Sequence, residues 1–175
     1  MKKSIPLFVL ALALLAGCGP KSTYTPAPGA QGVDQAYGFK VGQVEDRSGL
    51  QFSPQAKGAF NLQGAMIVAL REALARQGLA EANGRYSINV DILAYDPGNA
   101  AARMIPGAGA TYLSVKAAIM DNGVQAAIIT AERKITGGWG FKAFPGATAG
   151  AYRYVFDEVA QEIAAVIKKS TKAKR

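Results

Sequence analysis

Between Tyr86 and Ile135 the chain carries three runs whose apolar residues favour strands, and these runs limit what the rest can build around them. In the first, Ile88, Val90, Ile92 and Ala94 alternate with Ser87, Asn89, Asp91 and Leu93, the period of a half-buried strand. Asp96-Pro97-Gly98-Asn99 closes it with strong turn chemistry. After a loop through Gly109, two more strands are expected over Ala110–Met120 and Val124–Ile135, joined by a hairpin turn at Asp121-Asn122-Gly123. Leu113, Val115, Ala117 and Ile119 form the clearest inward-facing set. The last strand holds Ile128 and Ile129 side by side. A two-residue Asn122-Gly123 loop and a three-residue loop turn Ile129 to opposite faces, and a slip of one residue reverses every side chain.

Two amphipathic helices flank these strands. For the first, Ser53 is the expected cap and Pro54 sits in the opening turn. Phe60, Ile67, Leu70 and Leu74 then form an apolar stripe to about Gln77, with Gly78 as terminator. Gly64 inside this helix costs propensity unless close packing uses its small size. The second helix is expected from Thr148 or Ala149 to Lys168, with Thr148 as cap. Its stripe is Tyr152, Val155, Val159, Ile163 and Val166, widened by Phe156 and Ile167. A weaker strand over Phe39–Glu45, with Phe39, Val41 and Gln43 on one side, precedes both helices. The order β-α-β-β-β-α predicts an α/β two-layer sandwich, a mixed four-stranded sheet covered by two helices. Its other face is left for solvent or for a partner.

The amino end has a different character. Lys2 and Lys3 precede an apolar run from Ile5 to Leu15, and small residues lead into Cys18, the single cysteine. These are the marks of a secretory signal peptide, and the run is too short to span a bilayer comfortably. Leu15-Ala16-Gly17-Cys18 resembles the lipobox of bacterial lipoproteins. That resemblance implies cleavage before Cys18, lipid on its sulfur and acylation of the new amino group; ordinary secretion with a free Cys18 is the alternative. Gly19 after Cys18 resembles lipoproteins sorted to an outer membrane, which lack the aspartate retention signal at that position. Cleavage of residues 1–17 from the 175-residue chain leaves 158, enough for one domain, and removing Lys2 and Lys3 lowers the formal net charge from +8 to +6. Pro20, Pro26 and Pro28 with Gly19, Gly29 and Gly32 suggest a flexible tether over residues 18–37. A single domain is expected over 38–169, and a basic tail over 170–175, for which solvation is the expected state.

The chain contains no histidine. This removes the Ser-His-Asp and Cys-His arrangements and the histidine-containing zinc sites, and no acidic cluster at ligand-like spacing stands out. The expectation is a protein that is not an enzyme, with no cofactor beyond the lipid at Cys18. The glycines around residue 107 lack the GxxxxGK[ST] and GxGxxG patterns, and export argues against nucleic acid as a partner.

The most unusual segment is Gly98-Asn99-Ala100-Ala101-Ala102-Arg103-Met104-Ile105-Pro106-Gly107-Ala108-Gly109-Ala110. It resembles the glycine-asparagine, arginine and glycine-rich signature of a family of small, functionally uncharacterised bacterial lipoproteins. The element order is also similar to curli-secretion-type and penicillin-binding-protein-activator-type lipoprotein domains, from about Phe39 to Lys168. The resemblance implies an envelope assembly or accessory role and no defined reaction. Asn99, Gly107 and Gly109 suit a structural loop. Arg103 offers a planar donor fork for a carboxylate or phosphate, or pins the loop through Asp96 or a backbone carbonyl. Trp139, Phe141 and Phe144 form an aromatic contact surface or plug one end of the core. Glu132 and Arg133 suit a solvated strand, Asp121 suits a turn cap, and Tyr24 and Tyr37 are incidental to the tether.

These features together suggest a lipoprotein of the cell outer membrane, facing the periplasm. Its partners would be the bacterial membrane through the anchor, and an envelope protein. A structural lipoprotein that binds cell-wall glycan (peptidoglycan) is the alternative, with a carboxylate-based wall hydrolase behind it, for which Asp91 and Asp96 are poor candidates. Replacing Cys18 with Ala is expected to abolish lipid attachment and, with it, cleavage before residue 18. The mass of the amino-terminal peptide tests this.

Overall fold

The computed structural model describes residues 21–30, 32–49, 61–98, 110–135 and 147–171, with side chains from residue 153 onward in the last segment. Its elements are β1 (Lys21–Pro26), a 3-10 turn (Gln35–Tyr37), β2 (Phe39–Asp46), α1 (Leu62–Arg76), β3 (Tyr86–Asp96), β4 (Thr111–Asp121), β5 (Val124–Ile135) and α2 (Ala147–Ser170). The strands lie in the order β1-β5-β4-β3-β2 in one mixed five-stranded sheet. β2 and β3 are parallel, as a crossover through α1 requires, and every other pair is antiparallel. Both helices cover the same face, so the two-layer α/β class stands.

The expected count of four strands is corrected to five. The extra strand, β1, comes from the segment expected to be a tether. Ser22-Thr23-Tyr24-Thr25 is rich in residues that suit a pleated surface, and Pro26 closes the strand at a sheet edge, where a missing donor is tolerated. β1 pairs with β5 from Lys21 opposite Glu132 to Pro26 opposite Ala127. The Ser22 hydroxyl donates to Glu162 of α2 at 2.6 Å, and Tyr24 packs against the core. Further along, Val33 is buried, and the Gln35 side chain donates to the carbonyls of Lys168 and Thr171 at 2.8 and 2.9 Å. The Arg85 guanidinium lies 5.2 Å from the Tyr37 ring centroid. Neither tyrosine is incidental.

The β4–β5 turn answers the register question in an unexpected way. Asp121 pairs with Val124, so the loop is the two residues Asn122 and Gly123, with φ of 48° and 87°. Positive φ at both central positions is the I′ geometry that Asn-Gly favours. That loop alone would turn Ile128 inward. However, Ile119 pairs with Ala127 and Met120 with Gln125, leaving Ala126 as a bulge that adds one residue. Ile129 is therefore opposite Ala117 and fully buried.

Two more bulges act in the same way. In β3, Ile92 pairs with Val115 and Ala94 with Ser114, so Leu93 is extra. Tyr95, not Ala94, then enters the core, while Leu93 is exposed. In β2, Val41 pairs with Ile88 and Val44 with Val90, so Val44 takes the inward place expected of Gln43. The Gln43 N–H, released from the ladder, donates to Asn89 Oδ1 at 3.0 Å. A Cβ at residue 42 would collide with that same oxygen, which is why glycine stands there.

The helices differ from expectation mainly at their ends. Asn61 caps α1, its side chain accepting from Gly64 N–H at 2.9 Å. Ser53, Pro54 and Phe60 lie outside the described residues. The buried stripe is Leu62, Met66, Ala69, Leu70, Ala73 and Leu74, and Ile67 only borders it. Gly78 does end the helix. At φ of 70° it allows Leu79 N–H to reach Leu74 O at 2.9 Å and its own N–H to reach Ala75 O at 3.0 Å, the Schellman arrangement. α2 is already helical at Ala147, one residue before the expected cap at Thr148, and Tyr152's side chain is outside the described set. Val155, Phe156, Val159, Ala160, Ile163, Ala164 and Ile167 are its buried side. Arg133 points inward from β5 and donates to Glu158 of α2 at 2.8 Å, each side chain one-quarter exposed, so it is no solvated-strand residue.

Replacing Gly42 with Ala is expected to cost about 1–3 kcal/mol, read as a lower midpoint in urea unfolding. Arg133→Met, which leaves Glu158 in a half-buried site with Tyr154 as its remaining neighbour, is expected to cost about 1–2 kcal/mol in the same assay, between the exposed and the buried limits for ion pairs.

Candidate functional site: an uncovered sheet face and a common loop end

Strand alternation that sends Ile88, Val115, Ala117 and Ile129 into the core sends polar residues to the other side of the sheet. Among the described residues no element covers that side. The pairing aligns its side chains in rows. One row runs Thr23, Thr130, Lys116, Asp91, Glu45 across all five strands. A second contains Thr25, Ile128, Ala118 and Asn89, and a third Lys21, Glu132, Ser114 and Ala94. Thr23 and Thr130 share a hydroxyl–hydroxyl hydrogen bond of 2.6 Å. Glu45 and Asp91, like charges side by side, are held together by Arg47, which approaches them at 2.7 and 3.2 Å. The Glu45 hydrogen bond first, and the charge of Asp91 next, raise the Arg47 pKa further above its ordinary value. The result is a mostly polar surface with Lys116 at its middle and Ser114 buried within it, able to offer hydrogen bonds and charge of both signs.

The helix side of the molecule holds an open cleft of about 300 Å³ between α1 and α2, lined in part by Val68, Glu72, Arg153, Phe156 and Asp157. Burial first, and the charge of Glu72 second, push the Asp157 carboxyl up, against the pull of Arg76 and Arg153. Sequence reasoning missed this pair of acids, because the two residues lie on different helices with no local motif to join them. Asp91 and Asp96 do not converge: Asp91 pairs with Arg47, while Asp96 accepts from Gly98 N–H at 2.8 Å. Asp121 is held by Arg85, whose Nε donates to it at 2.7 Å. That hydrogen bond lowers the Asp121 pKa despite some burial. Among the described residues no group of three or more His, Cys, Asp or Glu could hold a metal ion, and no helix is long and apolar enough to cross a membrane.

Cys18, Asn99, Arg103, Gly107, Gly109, Trp139, Phe141 and Phe144 lie outside the described residues. The backbone does fix where their segments attach. β2 and β3 are parallel and finish at one end of the sheet, at Asp46 and Asp96. β4 begins there and β5 finishes there, with Thr111 opposite Ile135. Segments 50–60, 99–109 and 136–146 therefore all depart from the same end. The Thr111 hydroxyl donates to Pro97 O at 3.1 Å, closing the base of the second segment. β1 also begins at that end, with Lys21 opposite Glu132.

This architecture defines a class: a mixed sheet with both helices on one face and its loops gathered at one end. The family is also defined, since a domain of unknown function (DUF4410) matches residues 36–171, and the chain belongs to that family. A comparison with curated proteins finds no match. Among solved structures, the fold is similar to the PelC dodecamer from Paraburkholderia phytofirmans, at 12% identity, TM-score 0.51, and coverage of 82% of this chain and 96% of that one. It is also similar to the XCC0632 protein of Xanthomonas campestris, of family DUF330, at 16% identity, TM-score 0.50, and coverage of 86% and 94%. A minor lipoprotein from Acinetobacter baumannii matches at 17% identity, TM-score 0.41, over 77% of this chain and 94% of its own.

The raised pKa of Asp157 means that its charged form weakens the fold at neutral pH. Asp157→Asn is expected to raise the melting temperature at pH 7. The gain should fade as pH falls through the folded pKa and vanish below about 4, where both folded and unfolded carboxyls are protonated. Thermal melts across that range check it.

Proposed function

We propose that the protein is a lipoprotein anchored through Cys18 to the outer membrane and facing the periplasm, whose domain is a non-catalytic interaction module for an envelope protein. The observation that carries the interaction reading is the uncovered sheet face, a five-strand row of Thr23, Thr130, Lys116, Asp91 and Glu45 with polar groups spaced for a hydrogen-bonding partner. The anchor reading is supported by the signal region and Leu15-Ala16-Gly17-Cys18, and the outer membrane by Gly19 in place of aspartate. The chain's lack of histidine supports a binding role over catalysis. The acids of the helix cleft are bracketed by guanidinium groups and have their physical account in packing.

Photocrosslinkers placed at Ala118 and Ile128, in the neighbouring row of the same face, are expected to capture an envelope protein in intact cells, while one at Arg71, on the exposed side of α1, captures none. Lys116→Glu with Thr130→Arg is expected to abolish capture while the chain still folds, as a cooperative thermal melt shows. Undiminished capture by that double variant would reject the sheet face. Recovery of wall glycan instead would favour peptidoglycan as the partner. The variants Arg103→Ala and Trp139→Ala put the same question to the loop end.

A further inference from the structure

Resting on the lipid-anchor reading, the geometry points to one end of the domain being docked on the membrane surface: the end where β2, β3 and β5 finish and β1 begins. The argument is one of chain length. β1 is paired with β5 from Lys21 onward, so only Gly19 and Pro20 separate the lipidated residue from the sheet. Three peptide steps span at most about 11 Å when fully extended. Acyl chains hold the Cys18 sulfur at the boundary of the hydrocarbon core. The headgroup layer outside that boundary is roughly 5–8 Å thick. The Cys18 side chain adds about 3 Å to that reach, so Lys21 cannot rise more than about 9 Å above the headgroups, and the strand end carrying Lys21, Lys134 and Asp96 lies beside them.

The orientation follows from the ladder. Val124 lies seven ladder steps, counted on β4 from Asp121 to Ser114, from Glu132, the partner of Lys21, which is about 24 Å further from the anchor. The Asn122-Gly123 turn, the Arg85–Asp121 ion pair and the end of α2 with Lys168 and Lys169 belong to that distal end. Lys168 Nζ donates there to Gln77 O at 3.3 Å. The basic tail consequently starts on the side facing away from the lipid, and an anionic partner would meet it in the periplasm, not in the leaflet that holds the anchor. The three segments 50–60, 99–109 and 136–146 depart from the membrane end, so a soluble partner would reach the sheet face from the side.

Full-length lipidated protein in phosphatidylethanolamine–phosphatidylglycerol vesicles provides the test. With Cys18 blocked by lipid, a cysteine introduced by Lys134→Cys, Val124→Cys or Asn83→Cys is the one reactive thiol, and each takes a nitroxide. Vesicles doped with a nickel-chelating headgroup lipid should relax the Lys134→Cys label several-fold more than the Val124→Cys or Asn83→Cys label. A Gly/Ser spacer of about 30 residues between Pro20 and Lys21, with a mean span of about 30 Å, should erase the difference. Equal relaxation at both ends, with lipid confirmed on Cys18 by mass spectrometry, would overturn the docked orientation and leave the anchor standing. A difference that survives the spacer would overturn the short tether as the cause of the orientation. An unmodified Cys18 would overturn the anchor and the orientation together.

Discussion

The apolar layer between sheet and helices is the contact on which the rest of this molecule depends. Ile88, Ile92, Leu113, Ile119 and Ile129 from three central strands meet Met66, Leu70, Leu74, Phe156, Ile163 and Ile167 from two helices, all essentially inaccessible to water. Full burial of such a side chain contributes about 1.5–3 kcal/mol each, larger than any surface ion pair found here. Ala69 and Ala73 on α1, with Ala160 and Ala164 on α2, keep the helices slender where they pack on the sheet and on each other. Because both helices lie on one face, no described element covers the opposite one. The polar rows there are the other half of the same alternation.

Three bulges adjust that alternation, one each in β2, β3 and β5. Each shifts the phase by one residue, so a period of two holds only from one bulge to the next. Val44 replaces Gln43, Tyr95 replaces Ala94, and Ile129 replaces Ile128 as the inward side chain. In the first two cases the only apolar residue, or the larger one, goes inside. Ile128 and Ile129 are identical, and the bulge at Ala126 alone selects between them. The Asn89 side chain shows how such a site is stabilised locally, by taking up the N–H that the β2 bulge releases.

Parts of the functional picture were readable before the fold was known. The signal-like run, the resemblance of Leu15-Ala16-Gly17-Cys18 to a lipobox and the lack of histidine are properties of residue identity and order, and the proposed compartment and role lean on them without any use of the fold. The two loops singled out by composition do attach at a common sheet end, although their spacing along the chain gives no sign of it. The sheet face was recognisable only as a possibility, since Thr23, Thr130, Lys116, Asp91 and Glu45 come from five separate stretches. The acids Glu72 and Asp157 were invisible for the same reason. Proline and glycine content misdirected the reading of residues 21–37: Pro26 is the last residue of β1 and does not interrupt it.

Residue order by itself determined the alternating strands, the Asn122-Gly123 turn, the end of α1 at Gly78 and the two helical stripes, because each depends on contacts within a few residues along the chain. The tertiary structure alone decided that Lys21–Pro26 joins the sheet, which side chain is inside after each bulge, and which polar residues share a row. These depend on hydrogen bonds and packing between segments far apart in sequence, where a strand edge accepts whichever partner is brought beside it.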